Sequence, residues 1–140
     1  MRALGIDIGK RRVGLAISDG SRTLARPLET VAVNGPREAV ELVGRAIDRL
    51  SAEEDGLDTI VVGMPLHLDG TPSTETTYAA SFVAALRQRT KITIVTEGEQ
   101  LTSREAESRL AVRERDWRKR KAKLDAAAAA IILQDYLDRG

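Results

Sequence analysis

Apolar residues alternate with small or polar ones from the start of the chain. Leu4, Ile6 and Ile8 fall on one side of an extended segment, and Ala3, Gly5, Asp7 and Gly9 fall on the other. The next run repeats the pattern, with Val13, Leu15 and Ile17 opposite Gly14, Ala16 and Ser18. Two such strands joined as a hairpin have one bulky face and one face of small side chains around a lone carboxylate, Asp7. A third strand is expected over Leu24 to Val33, after the turn-rich Ser18-Asp19-Gly20-Ser21, with Pro27 marking an edge or a bend.

Beyond Asn34-Gly35-Pro36 the period changes. Ala39, Val43, Ala46, Ile47 and Leu50 recur at helical spacing, predicting a helix from Arg37 to about Leu50. Asp58 to Gly63 is a short apolar strand of the kind buried in a parallel sheet, and Met64 to Thr71 reads as a loop. Ala79, Phe82, Val83 and Leu86 stripe a helix over Ser73 to Arg89. Ile92 to Val95 is a strand ending on Thr96-Glu97-Gly98-Glu99-Gln100. A helix capped by Thr102 or Ser103 follows to about Val112, and a last helix covers Lys123 to Asp138. Strands in succession followed by alternating helices and strands predict a mixed α/β fold, antiparallel first and parallel afterwards. No repeat or linker divides it, so residues 1–140 read as a single domain.

Composition changes this picture little. Hydrophobic residues at 42% and charged residues at 31% are ordinary for a folded chain. A net charge of +1 is silent about partners. With no cysteine there are no thiolate metal sites. Met1 to Gly5 leads straight into the first strand, leaving no room for a signal peptide, and the apolar run Ala126 to Leu133 is too short to span a bilayer. A cytoplasmic protein with no membrane partner is expected.

The chemistry lies in the carboxylates. An unpaired buried Asp7 is costly and needs a cation, donors or water. Asp125 stands in the expected first turn of the last helix, in line with Ala128, Ala129 and Ile132. The alanine run Ala126 to Ala130 lets that helix approach a neighbour closely, and the face of Ala3, Gly5, Gly14 and Ala16 is a fitting partner. That match would bring Asp125 toward Asp7; the plainer reading is a first-turn carboxylate favoured by the helix dipole. Glu97 and Glu99 end a parallel strand, where open α/β sheets place ligands. Carboxylates without histidine or cysteine partners suit hard ions, Mg²⁺ or Mn²⁺. Two such ions, about 4 Å apart, clamp a phosphodiester for in-line attack by water.

Taken together, Asp7-Ile8-Gly9, Val13-Gly14-Leu15-Ala16, Val62-Gly63-Met64-Pro65-Leu66, Leu68-Asp69-Gly70-Thr71, Glu99-Gln100-Leu101-Thr102-Ser103 and Lys123-Leu124-Asp125 resemble the YqgF/RuvX family, in that family's order and over essentially the whole chain. The resemblance implies an RNase H-like fold and a nuclease that trims the 5′ end of the small-subunit ribosomal RNA precursor or resolves Holliday junctions. It also implies metal binding, and catalysis, by Asp7, Glu99 and Asp125. The family's usual Asp-Glu-Arg reads Gly98-Glu99-Gln100 here, which leaves Glu97 as a reserve ligand.

Between Arg113 and Lys123 seven basic residues face two acids around Trp117, the chain's one tryptophan. Arg115, Trp117, Arg118, Lys119, Arg120, Lys121 and Lys123 suit phosphate contacts and base stacking, and Lys10, Arg11 and Arg12 in the first turn add to the same patch. A solvated charged turn with Trp117 folded over the core is the plainer alternative. His67, in a loop without a partner, reads as structural, and Thr71 and Ser73 as phosphate contacts or helix caps. The expected partners are nucleic acids, branched DNA or precursor rRNA, with a homodimer if a junction is cut symmetrically. A sugar-kinase or actin-like ATPase would need two such domains. A non-catalytic RNA-binding module of the same fold is the remaining alternative.

Overall fold

The structure, a computed structural model, describes residues 1–67, 69–99 and 117–139; for Glu99 and residues 117–123 it describes the backbone. Five strands form one sheet: β1 (Arg2–Ile8), β2 (Arg12–Ser18), β3 (Ala25–Ala32), β4 (Leu57–Pro65) and β5 (Thr93–Glu99), in the order β3-β2-β1-β4-β5. β1 pairs antiparallel with β2, and β2 with β3, whereas β1 and β4 run parallel, as do β4 and β5. This is the mixed sheet that the chain pattern predicts. Pro27 lies opposite Ala16, where the β2–β3 register shifts. An edge strand at a bulge is where a residue without an N–H is tolerated.

The two faces of the hairpin separate two cores. Leu4, Ile6, Ile8, Val13, Leu15 and Ile17 join Ile60, Val62 and Ile94 beneath α1 (Pro36–Ser51) and α2 (Thr74–Arg89). On the other face Ala3, Ala16 and Val61 meet Ala129, Ile132 and Leu133 of a third helix, α3 (Trp117–Arg139). Ser73 caps α2: its hydroxyl accepts from the Thr76 N–H at 3.2 Å, and the Thr76 hydroxyl accepts from the Ser73 N–H at 2.9 Å. That settles Ser73 as a cap. Among the described residues no helix is long and apolar enough to cross a membrane.

Three elements run further than the pattern predicts. β4 continues through Met64 and Pro65, and β5 through Thr96 to Glu99, so Glu97 sits within a strand and not past its end. α3 begins at Trp117, which moves Asp125 out of the first turn and removes the helix-dipole reading of that residue. The basic stretch from Trp117 is therefore helical backbone and not a charged turn. The helix expected over residues 102–112 lies outside the described residues.

Candidate metal and nuclease site

Asp7 is carried on β1 directly opposite Gly14 of β2. A Cβ placed on Gly14 would stand 1.9 Å from the Asp125 carbonyl oxygen and 2.2 Å from its carbon. The α3 backbone therefore lies against the hairpin at Asp125, and it does so because position 14 has no side chain. Gly5 repeats the device two pairs along the ladder, where a Cβ would meet the Ala129 carbonyl oxygen at 2.8 Å and Leu133 Cβ at 2.7 Å. The sheet's small face and the helix's alanines together bring two carboxylates from distant parts of the sequence side by side.

Burial, and then the negative charge of Asp125, raise the Asp7 carboxyl from its ordinary 3.8 to about 6. Among the described residues the Asp7 carboxylate forms no hydrogen bond or ion pair. Asp125, with its side chain 23% exposed, accepts a hydrogen bond from Arg12 Nε at 2.8 Å. Arg12 belongs to the basic turn read from the sequence, but nothing local to it announces a partner in the last helix. The pair joins residues 113 positions apart.

Glu97 is 4% exposed, and its one charged partner among the described residues is Arg139 at the end of α3, which pairs with its Oε1. Neutralisation of a buried carboxylate is strong, but Arg139 is itself 69% exposed, which screens the pair. Arg139→Ala is expected to destabilise the protein by about 1 kcal/mol, read as a lower urea midpoint with an unchanged slope.

Lys10 and Arg11 are exposed in the turn between β1 and β2, next to Arg12 in the sequence, and the charge of Lys10 acts on Glu75 of α2. His67 is exposed in the loop after β4, its N–H donating to the Thr71 carbonyl at 2.9 Å. Thr71 is tied to Asp69, whose carboxylate accepts from its N–H at 3.0 Å and its hydroxyl at 2.7 Å. Both are structural features of that loop. The Glu99 backbone ends β5, paired with Pro65. Its side chain, those of Trp117, Arg118, Lys119, Arg120, Lys121 and Lys123, and the whole of Arg115 lie outside the described residues. Among the described residues no three His, Asp or Glu side chains converge. Asp7 and Asp125 do, and an oxygen-only pair whose like charges a cation would relieve fits Mg²⁺ or Mn²⁺.

The chain matches the family model described as "RuvX: Holliday junction resolvase" over residues 1–139. It is 37% identical to a protein of Geobacillus thermodenitrificans (strain NG80-2) named "Putative pre-16S rRNA nuclease", covering 99% of this chain and 98% of that one. A protein of Anaeromyxobacter sp. (strain Fw109-5) bearing the same name is 39% identical, with 99% and 97% covered. Among solved structures, the Fowlpox virus resolvase bound to Holliday junction DNA superposes with a TM-score of 0.58 at 13% identity, covering 99% of this chain and 98% of the other. RuvC of T. thermophilus in complex with a Holliday junction gives 0.54 at 16% identity, covering 99% and 94%. These two likenesses establish an RNase H-like fold. By the family match along its length and by its relatives' identity, this chain belongs to the RuvX (YqgF) family.

Proposed function

We propose that this chain is a metal-dependent endonuclease, acting as one domain over residues 1–140, that hydrolyses phosphodiester bonds by direct attack of water. One observation carries the reading: Asp7, a carboxylate without a hydrogen bond among the described residues, lies near Asp125, whose backbone is seated on Gly14, the residue opposite Asp7 in the neighbouring strand. Asp7, Asp125 and, from the end of β5, Glu99 would hold the divalent ions. Bound there, Mg²⁺ or Mn²⁺ would supply an activated water and a stabilised leaving oxygen. Lys10 and Arg11 in the turn that follows Asp7, and the basic segment Arg115 to Lys123 leading into Asp125 in the sequence, would hold the backbone phosphates of the substrate.

The names of the relatives favour the 16S ribosomal RNA precursor as substrate; the family resemblance points to its 5′ end, and a cytoplasmic location goes with that role. Branched DNA is the second substrate, supported by the family's description, and cutting it symmetrically would require a homodimer. A non-catalytic RNA-binding role in ribosome assembly is favoured by a different observation, the neutralisation of Asp125 by Arg12.

The experiment compares wild type with Asp7→Asn on labelled precursor rRNA and on a four-way DNA junction, in Mn²⁺, Mg²⁺ and chelator. Cleavage by wild type in metal alone is expected, with loss of at least about 10³-fold in the variant. Cleavage that persists in chelator or in the variant would sink the metal mechanism. Tight binding without cleavage under every condition would leave the assembly role in its place.

A further inference from the structure

The ion pair at the edge of the candidate site has an unequal geometry. Arg12 and Gly14 occupy alternate positions of β2, on the face that meets α3. The Arg12 side chain is 40% exposed and uses one N–H, on Nε, toward Asp125 Oδ2. Its remaining four N–H groups make no hydrogen bond among the described residues, and a guanidinium presents them as a planar fork that matches a phosphate. Asp125, by contrast, is fixed, because its backbone is seated on Gly14. Among the described residues, Asp7 repels Asp125 and Arg12 attracts it. In protein without bound metal, Arg12 is thus the cation paired with Asp125 among the described residues.

We propose that Arg12 is an exchangeable placeholder for the divalent ion at Asp125: the ion displaces the Nε–H contact, and the freed guanidinium turns to a phosphate of the bound nucleic acid. This rests on the metal-dependent reading above and assigns a further positioning residue to it. Exchange follows from the chemistry of the partners. Exchange requires the ion to take the Oδ2 lone pair that now accepts from Nε–H, and an ion seated there displaces that contact. A half-exposed arginine is held weakly enough to leave. The arrangement also lowers the cost of keeping two carboxylates side by side before metal arrives.

The test measures Mn²⁺ affinity by calorimetry and nucleic-acid affinity across a salt series, for wild type, Arg12→Gln, Arg12→Lys and Arg11→Gln. Arg11→Gln removes the same charge from the same turn but, being exposed, not from Asp125. Exchange predicts that Arg12→Gln tightens Mn²⁺ by about five-fold, the scale of a half-exposed ion pair, and clearly more than Arg11→Gln does. It also predicts that nucleic-acid binding in Mn²⁺ weakens in Arg12→Gln, with the salt slope reduced by about one phosphate contact. Arg12→Lys, which keeps the charge, is expected near wild type in Mn²⁺ affinity. Equal Mn²⁺ shifts in Arg12→Gln and Arg11→Gln would reduce the effect to overall charge and overturn the exchange. Weaker Mn²⁺ binding in Arg12→Gln would overturn it as well, making Arg12 an orienting group for Asp125. If wild type and all variants bind no Mn²⁺, the metal-dependent reading itself falls, and the exchange with it.

Discussion

Metal-free Asp7→Asn protein is expected to be more stable than wild type at pH 8, and no more stable at pH 4. The Asp7 carboxyl titrates near 6 in the folded chain, against an ordinary 3.8, because burial first and Asp125 second oppose its charge. The folded state therefore holds the Asp7 proton more tightly than the unfolded state does. Below about pH 4 both states are protonated and the residue costs nothing. As pH rises through about 6 the folded protein must ionise a carboxylate that its surroundings oppose, and stability falls. The gap between about 6 and 3.8 corresponds to a penalty of about 3 kcal/mol, fully present above pH 7. Asparagine removes it, while the cleavage proposed above disappears. Urea titrations of both proteins in chelator, at pH 4, 6 and 8, check the sign: equal midpoints at pH 8 would mean that Asp7 is not held at a cost. Adding Mn²⁺ at pH 8 should raise the wild-type midpoint and leave the variant near its metal-free value. A residue that weakens the fold until an ion arrives is what a metal-binding site asks of its ligand, and the stability measurement tests that without any substrate.

Gly14→Ala carries the second large effect. The added methyl would meet the Asp125 carbonyl oxygen at 1.9 Å, its carbon at 2.2 Å and the Ala126 nitrogen at 2.8 Å. All three are backbone atoms of a packed helix, so no rotamer change relieves the overlap and α3 must lift from β2. Overpacking of cores costs about 1–3 kcal/mol, and a rigid contact of this kind belongs at or above the top of that range. Gly63→Ala is the control. Its Cβ would stand 2.4 Å from Ile132 Cδ1, a side-chain methyl and not backbone, so a smaller cost, toward the lower end of about 1–3 kcal/mol, is expected. Thermal melts of the two variants should separate clearly, with Gly14→Ala the lower. If the order were reversed, α3 would not be seated on the hairpin at Asp125, and the proximity of the two carboxylates would lose its support.

What the sequence disclosed follows from where each signal resides. The alternation of Leu4, Ile6 and Ile8 with Ala3, Gly5 and Asp7 is local, and so is the alanine run before Ile131. Matching one small surface to the other was enough to place Asp125 near Asp7. The early start of α3 was hidden because Trp117 to Lys121 is a run of charge with no apolar period, and a solvated helix and a solvated turn look alike in such a run. The extension of β5 was hidden for a related reason. Glu97 is an unlikely strand interior by composition, and its burial depends on Arg139, brought beside it by the tertiary fold. The Arg12–Asp125 pair has the same origin. Basic residues in a hairpin turn carry no mark of which carboxylate they will meet, and the partner here comes from the far end of the chain.

The sheet order gives the two carboxylates unequal permanence. β1 is hydrogen-bonded on both edges, to β2 and to β4, so the amides around Asp7 exchange with solvent only when the sheet itself opens. Asp125 rides on a helix held to that sheet by a separate core around Ala129, Ile132 and Leu133, by the close seat on Gly14, and by the ion pairs of Arg12 and Arg139. The pairing of the two charges is then lost at the free energy of undocking a helix and not at that of global unfolding. Heat or denaturant would dismantle the site while the strand that carries its first ligand is still intact.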